Sequence, residues 1–509
     1  MIPDPRTTFR SAVWNHAGKI LEYLLMYVTS VLIARGLGVK ENGAFVGLFS
    51  ISQFLLVLTS FGLEVSVNKH IPQLSGDSRQ GNIRHMLQRV LLLRIAVFAG
   101  GGVVLFGILR LAPGVFAEHA DEYVWILAGY AGVRSLVNLL AIALTSELRT
   151  RATTTINVMT RALEVVVVWL MVANGMTILN LFFLFFSTAT LQLAAYVVAA
   201  RPQLFGPARP VAILPVITFG GIYWTNTIVE FFLGRQGDIL LLTLLLPDSS
   251  QASLYDVAFA ISQLAALSMT VGLGGVTLAT SARLAIRDTE LLRRFYGFMI
   301  RVKSLLSIPL YAFILFNANS VLHVLYSSRY LAAAPLIQGI AAFRIVSRLF
   351  GGPENAEFLL SQSRIVRLVG IGITGAVINI SIDFLLIPTM GATGAVIGGG
   401  VGNLAVNLLG AMAVRQVSGA ALQWQFWLNV SSVTCAASFV CSIVVPRNDL
   451  PDAIVQAVIF LTIVVVAFRF TKPLASADAD WLLRIDDRFR WVARYFARNP
   501  VGLVDAKST

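Results

Sequence analysis

The sequence predicts an all-α integral membrane protein of about fourteen transmembrane helices, with two pseudo-symmetric six-helix lobes around a central cavity and two additional C-terminal helices. Composition is the first reason, because 57% of the 509 residues are hydrophobic and 13% are charged, whereas soluble domains have about 25% charged residues. An internal repeat is the second, since Trp14 recurs as Trp224 and Ile51-Ser52-Gln53 as Ile261-Ser262-Gln263. Two similar halves buried in lipid are typical of a transporter whose substrate site lies between them.

The repeat extends along both halves of the chain. Its further matches are Gly62-Leu63 with Gly272-Leu273, Gly129 with Gly339, Arg134 with Arg344 and, after a shift of four residues, Thr160, Ala162 and Met176 with Thr374, Ala376 and Met390. Each repeat has an even number of spans, so both halves enter the membrane in the same direction, related by an axis along its normal. We therefore expect lobes at residues 1–210 and 211–420, two additional spans in 421–472 and a tail at 473–509.

A transmembrane helix needs about 20 apolar residues, and fourteen segments meet this requirement. They are 11–34, 43–63, 89–111, 123–146, 154–174, 177–200, 217–247, 252–282, 297–317, 331–351, 366–388, 393–415, 426–446 and 451–470. Segment 217–247 is long enough to be tilted or broken. The first apolar run is too long for a cleavable signal peptide and is part of the repeat.

Basic residues predict the orientation. The loops after the even-numbered spans and both termini carry most of the Lys and Arg residues, whereas the opposite loops carry Arg35, Lys40, Arg110, Arg329 and Arg447. The positive-inside rule therefore predicts that both termini are cytoplasmic. The same bias accounts for much of the net charge of +13, so nucleic acid is not a predicted partner.

The tail at 473–509 predicts an amphipathic helix. Its apolar side is formed by Trp481, Leu482, Ile485, Phe489, Val492 and Phe496, and its arginines lie elsewhere around the helix. Such a helix is expected to lie on the anionic inner leaflet, with docking on a partner as the alternative. For the two spans outside the repeat, we expect lateral packing or lipid contact.

The sequence lacks the residues that several other classes of protein function need. The sequence has no G-x-x-x-x-G-K-[ST] motif for ATP hydrolysis and no His/Cys cluster, so we predict neither a metal site nor a cofactor. Cys435 and Cys441 lie in one apolar span and are expected to pack in the membrane. The predicted outward loops are too short for a folded catalytic domain.

Three segments resemble a known family. Ala34-Arg35-Gly36-Leu37-Gly38, followed by Glu41-Asn42-Gly43-Ala44-Phe45, resembles the A-R-x-L-G … x-G-x-F junction of polysaccharide flippases. Residues 379–402, NISIDFLLIPTMGATGAVIGGGVG, are similar to their segment around L-I-P-x-x-G-x-x-G-A, which is the most specific match. Tyr326 and Tyr330-Leu331-Ala332-Ala333 resemble a third segment. The resemblance covers spans 1–12.

These motifs resemble the polysaccharide-transporter branch of the multidrug/oligosaccharidyl-lipid/polysaccharide (MOP) flippase superfamily, which includes Wzx-type O-antigen flippases. The resemblance implies that the chain is not an enzyme and moves undecaprenyl-diphosphate-linked oligosaccharide units across a bacterial inner membrane without ATP. The implied partners are this lipid-linked substrate, membrane lipids, and a glycan polymerase with its chain-length machinery. The product would be O-antigen, capsule or exopolysaccharide.

Charged residues inside the spans cost about 2.5–3.5 kcal/mol each at the helix centre. Those near the cytoplasmic edge, which are Arg94, Arg301, Lys303 and Arg348, are expected to snorkel. Three others have an acid three residues on, giving the possible pairs Lys19–Glu22, Arg161–Glu164 and Arg235–Asp238. Each pair is either a neutralised structural element or part of an ion-coupling site, for which Asp256 is a further candidate.

Arg134 and Arg344 differ from these pairs. Both lie near the middle of a span, with no carboxylate three or four residues away. Either they bridge to an acid on another span, such as Glu164 or Glu230, or they hold the substrate diphosphate in bidentate fashion. Lys19, Arg161 and Arg235 complete the set of predicted diphosphate-binding residues. Because Arg348 follows Arg344 by one turn, the second site is expected to bind more tightly.

Two other function classes remain open at this point. A cation-coupled drug or small-molecule antiporter of the same superfamily would need unpaired acids in the cavity, for which Glu230 and Asp256 are the candidates. A membrane-embedded glycan polymerase or ligase would need a substantial outer loop for acceptor chemistry. The excess of basic over acidic residues inside the spans favours the flippase.

Overall fold

The computed structural model describes residues 5–74, 79–111, 120–147, 149–270, 274–444, 450–485 and 490–497, and it forms α-helices and no β-sheet within them. The first ten helices are α1 (Pro5–Leu37), α2 (Val39–Leu58), α3 (Leu63–His70), α4 (Arg79–Leu111), α5 (Ala120–Ser146), α6 (Thr150–Asn174), α7 (Ile178–Ala199), α8 (Arg201–Leu204), α9 (Leu214–Phe232) and α10 (Arg235–Leu245). The others are α11 (Ser250–Thr270), α12 (Gly274–Arg287), α13 (Thr289–Tyr326), α14 (Ala334–Ser347), α15 (Pro353–Ser361), α16 (Ile365–Met390), α17 (Ala392–Ser418), α18 (Trp424–Val444), α19 (Leu450–Thr471), α20 (Ser476–Ile485) and α21 (Arg490–Phe496). The all-α class predicted from composition is confirmed.

Twelve helical segments of the described chain are long and apolar enough to cross a membrane. Large apolar side chains cover their outer faces, as shown by Val366 at 83% and Phe470 at 79% exposure. An apolar outer surface of this extent is suited to lipid, where helices satisfy their own backbone groups. The protein is therefore a multi-pass membrane protein.

The two predicted spans not among these twelve are built from shorter helices. Segment 217–247 is broken into α9 and α10, as its length allowed, and the break falls at Leu233-Gly234. A side chain at Gly237 would lie 2.7 Å from the Phe231 carbonyl oxygen, so glycine permits the chain to turn tightly there. Segment 252–282 corresponds to α11 and α12, with residues 271–273 outside the described part of the chain.

The chain divides into two compact units. Unit 1 comprises Met1–Asp256 with Ile380–Ala395, and unit 2 comprises Val257–Asn379 with Val396–Thr509. In unit 1, the α1 helix packs along α6, and α5 packs against α7. In unit 2, the long helix α13 is central and packs against α14, α18 and α19. The boundaries predicted from the repeat, at 210 and 420, remain a prediction.

The C-terminal tail corrects one expectation. Trp481, Leu482, Val492 and Phe496 pack against Phe295 and Phe298 of α13, so their apolar surface contacts the protein instead of lipid. A bidentate ion pair fixes this position, since Arg301 donates to both carboxylate oxygens of the buried Asp478 at 2.8 and 2.6 Å. The tail thus docks on its own chain. The side chain of Ile485 and the whole of Phe489 lie outside the described residues.

Candidate functional site

The first candidate site lies inside unit 1, where α5, α6 and α7 bring polar side chains together. Arg134 donates from Nη1 to Gln192 Oε1 at 2.6 Å, and Gln192 donates from Nε2 to Asn157 Oδ1 at 2.9 Å. Asn157 in turn donates to Glu22 of α1 at 3.3 Å, and the Tyr196 hydroxyl donates to Asn157 Oδ1 at 2.7 Å. We call these five residues the Arg134 network.

The Arg161–Glu164 pair lies beside this network. Its ion pair measures 2.5 Å from Nη1 to Oε2, as the spacing on α6 predicted, and Glu164 also accepts a hydrogen bond of 3.0 Å from Thr188. Thr188 lies one turn before Gln192 on α7, so the Arg161–Glu164 pair and the Arg134 network share this helix. The pair is self-neutralised, so Arg161 is committed to Glu164 in this conformation.

Arg134 itself has no carboxylate partner in the described part of the chain. The two bridges suggested by the sequence do not form, because Glu164 binds Arg161 and Glu230 accepts from Asn226 at 2.8 Å. The guanidinium is half-buried and makes one hydrogen bond, to a neutral amide. It therefore keeps donors and a full positive charge for an anion.

The symmetry-related Arg344 lies on α14 in unit 2. It too is half-buried, and its side chain forms no hydrogen bond or ion pair with the described residues. Its guanidinium carbon lies 6.0 Å from the centre of the Phe259 ring, at the limit of a cation–π contact. No acid among the described residues thus compensates the charge of Arg344.

Arg348 does not add to that charge because it is paired with Glu354, so the tighter binding at the second site stays a prediction without this support. It is buried, bonds Glu354 at 3.2 Å and donates to Ser304 Oγ at 2.9 Å. Lys303 lies in the same cluster, 3.1 Å from Glu357 and 3.6 Å from Glu354. Arg348 and Lys303 are thus paired inside the protein and do not snorkel.

The other two arginines expected to snorkel are also paired. Arg94 is 1% exposed, forms an ion pair with Glu64 and donates to the Thr59 carbonyl at 2.7 Å. Arg301 binds Asp478, as described above. These pairs could not be predicted from the sequence because each partner comes from another helix or loop.

Of the three possible pairs, Lys19–Glu22 is wrong, and the observed partner of Arg235 is an acid on another helix. Lys19 is exposed and forms no ion pair with Glu22 in the described chain, because Glu22 accepts from Asn157 instead. Arg235 donates from Nε to Asp256 of α11 at 2.6 Å. Asp238 is 1% exposed and accepts a hydrogen bond from the Tyr255 hydroxyl.

One buried acid was missed by the analysis of the sequence. Asp383 of α16 is 0% exposed, and neither of its carboxyl oxygens has a hydrogen-bond partner among the described residues. It belongs to the segment 379–402 that carries the family resemblance. The available signal was its position, since an acid well inside an apolar span is itself evidence of a functional site.

The first motif segment has a structural role. Asn42 donates to Ser253 Oγ at 2.7 Å, which joins the start of α2 to the start of α11. A side chain at Gly43 would collide with the Ser249 carbonyl group. Glycine at this position therefore permits the two helix starts to meet.

Known structures of membrane transporters share this fold. The chain is similar to an inward-facing multidrug resistance MATE family transporter of the MOP superfamily, with TM-score 0.65 and 16% identity over 80% of this chain and 98% of that one. It is similar to a MOP superfamily transporter from Pyrococcus furiosus, whose binding pocket is described as having reverse polarity, with TM-score 0.58 and 16% identity over 81% and 95%. A Vibrio cholerae MATE transporter matches with TM-score 0.56 and 14% identity over 81% and 96%. No curated protein matches the sequence.

The fold is therefore that of a MOP-superfamily transporter. The family model for polysaccharide biosynthesis proteins matches residues 32–335, which is more than half of the chain. The chain therefore belongs to the polysaccharide biosynthesis protein family.

Proposed function

We propose that this protein moves an undecaprenyl-diphosphate-linked oligosaccharide unit from the inner to the outer leaflet of a bacterial inner membrane. The observation that carries the proposal is Arg134, a half-buried guanidinium within a membrane span that makes one hydrogen bond to the described residues, at Gln192. A charge in a span is costly, and an anionic substrate compensates it. The family match and the transporter fold support the same conclusion.

Arg134 and Arg344 are the proposed diphosphate ligands. The planar guanidinium can donate two parallel hydrogen bonds to a phosphate group, and the repeat places one such group in each half. The secondary candidates are Lys19, which is exposed, and the arginines Arg161 and Arg235. Arg161 would first have to leave Glu164, and Arg235 would have to leave Asp256. The reverse polarity ascribed to the pocket of the Pyrococcus furiosus transporter supports the idea that one MOP fold can accept ligands of different charge.

The topology completes the proposal. Both termini face the cytoplasm, as the distribution of basic residues indicates, and each of the lobes at 1–210 and 211–420 contributes one of the two proposed diphosphate ligands. Glycan polymerase and chain-length machinery would then receive the unit on the outer side. The glycan would be destined for O-antigen, capsule or exopolysaccharide.

A deletion strain tests this function. Cells without the protein should accumulate the lipid-linked unit on the cytoplasmic leaflet, where a membrane-impermeant glycan label cannot reach it in intact cells. Complementation with the wild-type chain should restore labelling. Normal labelling in a deletion strain that has no second flippase would exclude the proposal.

A further inference from the structure

Gln192 of α7 binds Arg134 through a neutral side chain. Its Oε1 accepts from Arg134 Nη1 at 2.6 Å, and the residue is 4% exposed. Nη1 is the nitrogen that this bond engages, and the Nε–Nη2 edge of the guanidinium makes no hydrogen bond to the described residues. That edge can donate two parallel hydrogen bonds to an anion.

The hydrogen bonds of the Arg134 network run in one direction, because the groups at its two ends have fixed roles. A guanidinium donates only, and the carboxylate of Glu22 accepts only. Gln192 must therefore present its oxygen to Arg134 and its Nε2 to Asn157 Oδ1, at 2.9 Å. Asn157 then donates from Nδ2 to Glu22 at 3.3 Å, and its Oδ1 also accepts from Tyr196 at 2.7 Å. The network thus fixes the amide of Gln192 with its oxygen towards the guanidinium.

A neutral acceptor distinguishes Arg134 from other arginines inside the spans. Carboxylates form ion pairs with Arg94, Arg161, Arg235, Arg301 and Arg348. A glutamate at position 192 would be nearly the same size as glutamine and would also accept from Arg134, but its negative charge would oppose the binding of a second anion. Glutamine fixes the position of the guanidinium and leaves its charge available.

We propose that Gln192 is a positioning residue for the substrate diphosphate. It binds Nη1 of Arg134 through a neutral oxygen, so that the Nε–Nη2 edge and the full positive charge remain for the phosphate oxygens. A donor that is oriented before binding loses less conformational freedom when the ligand arrives. The inference rests on the proposed function, in which Arg134 binds the diphosphate.

Moving the carboxylate of the network next to Arg134 tests this role. The double variant Glu22→Gln, Gln192→Glu has the same net charge as the wild type. It replaces the neutral acceptor of Arg134 by a carboxylate and should form an ion pair there. The guanidinium is then neutralised by the protein itself and should bind a diphosphate weakly.

The rest of the network can satisfy the exchanged groups. If the amide of Asn157 is reversed, its nitrogen donates to the new carboxylate and its oxygen accepts from the new amide at position 22. The Tyr196 hydroxyl can then donate to the Thr153 carbonyl oxygen, which lies 3.4 Å away. The double variant should therefore fold and unfold at the same temperature as the wild type.

The quantity to measure is the affinity of the full-length protein in lipid nanodiscs for farnesyl diphosphate, with farnesol as the neutral probe. The double variant should bind farnesyl diphosphate roughly 10- to 100-fold more weakly than the wild type, as expected for the loss of one charge-assisted hydrogen bond. Glu22→Gln alone leaves a neutral acceptor on Arg134 and should bind at least as tightly as the wild type. Gln80→Glu, which adds a negative charge at an exposed position of α4, should bind normally.

A further variant covers the case in which the double variant does not fold. Gln192→Met removes the acceptor and keeps most of the side-chain volume, so Arg134 retains its charge and loses its orientation. It should bind farnesyl diphosphate roughly 2- to 10-fold more weakly, the effect of ordering one long side chain.

The outcomes separate this inference from the proposed function. If the wild type binds farnesyl diphosphate more tightly than farnesol, and either the double variant or Gln192→Met binds it equally well, the positioning role is wrong and the proposed function stands. A loss of affinity that follows a lower unfolding temperature in both variants would also overturn the positioning role, because it shows a structural one. A wild type that binds farnesol as tightly as farnesyl diphosphate would contradict the proposed function itself.

Discussion

Replacing Arg134 by alanine should abolish transport while leaving the protein inserted and abundant. In the structure, Arg134 makes one hydrogen bond, to Gln192 at 2.6 Å, and no ion pair within the described chain. Its loss therefore removes about 1.5–3 kcal/mol from the stability of the fold. That change is small beside the loss of a buried ion pair, about 3–5 kcal/mol.

The effect on transport should be much larger. A guanidinium on a diphosphate makes two charge-assisted hydrogen bonds, together about 3–6 kcal/mol, which corresponds to a loss of roughly 10²- to 10⁴-fold in transport at limiting substrate. Arg134→Lys keeps the charge and one bond, so it should lose roughly 10- to 100-fold. Arg344→Ala should behave like Arg134→Ala.

Glycan export per molecule of membrane-inserted protein is the quantity to measure, with abundance determined by immunoblot. Arg151→Ala is the matched control, because Arg151 is exposed at the start of α6 and should export normally when replaced. Full export by the double variant Arg134→Ala, Arg344→Ala would remove the diphosphate hypothesis. A loss of abundance that matches the loss of export would show a structural role instead.

Three further predictions concern stability. Arg161→Ala removes the cation paired with the buried Glu164 and should lower the free energy of unfolding by about 3–5 kcal/mol. Glu164→Gln in the same chain should restore most of the protein abundance. Equal abundance of the Arg161→Ala variant and the wild type would contradict the ion pair. Gly43→Ala should reduce abundance because the added methyl group would collide with the Ser249 carbonyl. Gly100→Ala is the control, since no atom lies within 4 Å of the added methyl group, and it should be tolerated or slightly stabilising. A lower abundance of Gly100→Ala than of Gly43→Ala would refute this packing. Asp478→Asn should release the tail from α13 and increase its cleavage in limited proteolysis, so an unchanged digestion rate would contradict the docked tail.

The fold was predictable from the sequence because a membrane allows few solutions. Apolar length defines helices when every backbone group must be satisfied within the segment, and the all-α class follows directly. The break in segment 217–247 was predictable from its length. Its position was not, because it depends on the close approach of Gly237 to Phe231.

The ion pairs were predictable within one helix turn and not across helices. Arg161–Glu164 forms as its spacing suggests, but Arg235 reaches Asp256 on the next helix. The partners of Arg94, Lys303 and Arg348 likewise come from other segments. The sequence gives the charge of each residue and its position along a membrane span, whereas the partner of each charge depends on how the helices pack.

The amphipathic tail shows the same limit. Its periodicity predicted an apolar face, and the structure contains one. Periodicity does not distinguish lipid from protein as the surface that covers this face. The deciding contact is the ion pair of Arg301 with Asp478, which no local pattern in the tail reveals.

Flipping by the purified protein tests the central claim most directly. The protein would be reconstituted in liposomes that carry a lipid-linked oligosaccharide diphosphate, and a membrane-impermeant glycosidase would report which leaflet holds the glycan. The wild type should make the glycan of the inner leaflet accessible to the external enzyme. The variant with both Arg134 and Arg344 replaced by alanine should match protein-free liposomes. Wild-type vesicles that do not differ from protein-free liposomes would contradict the account.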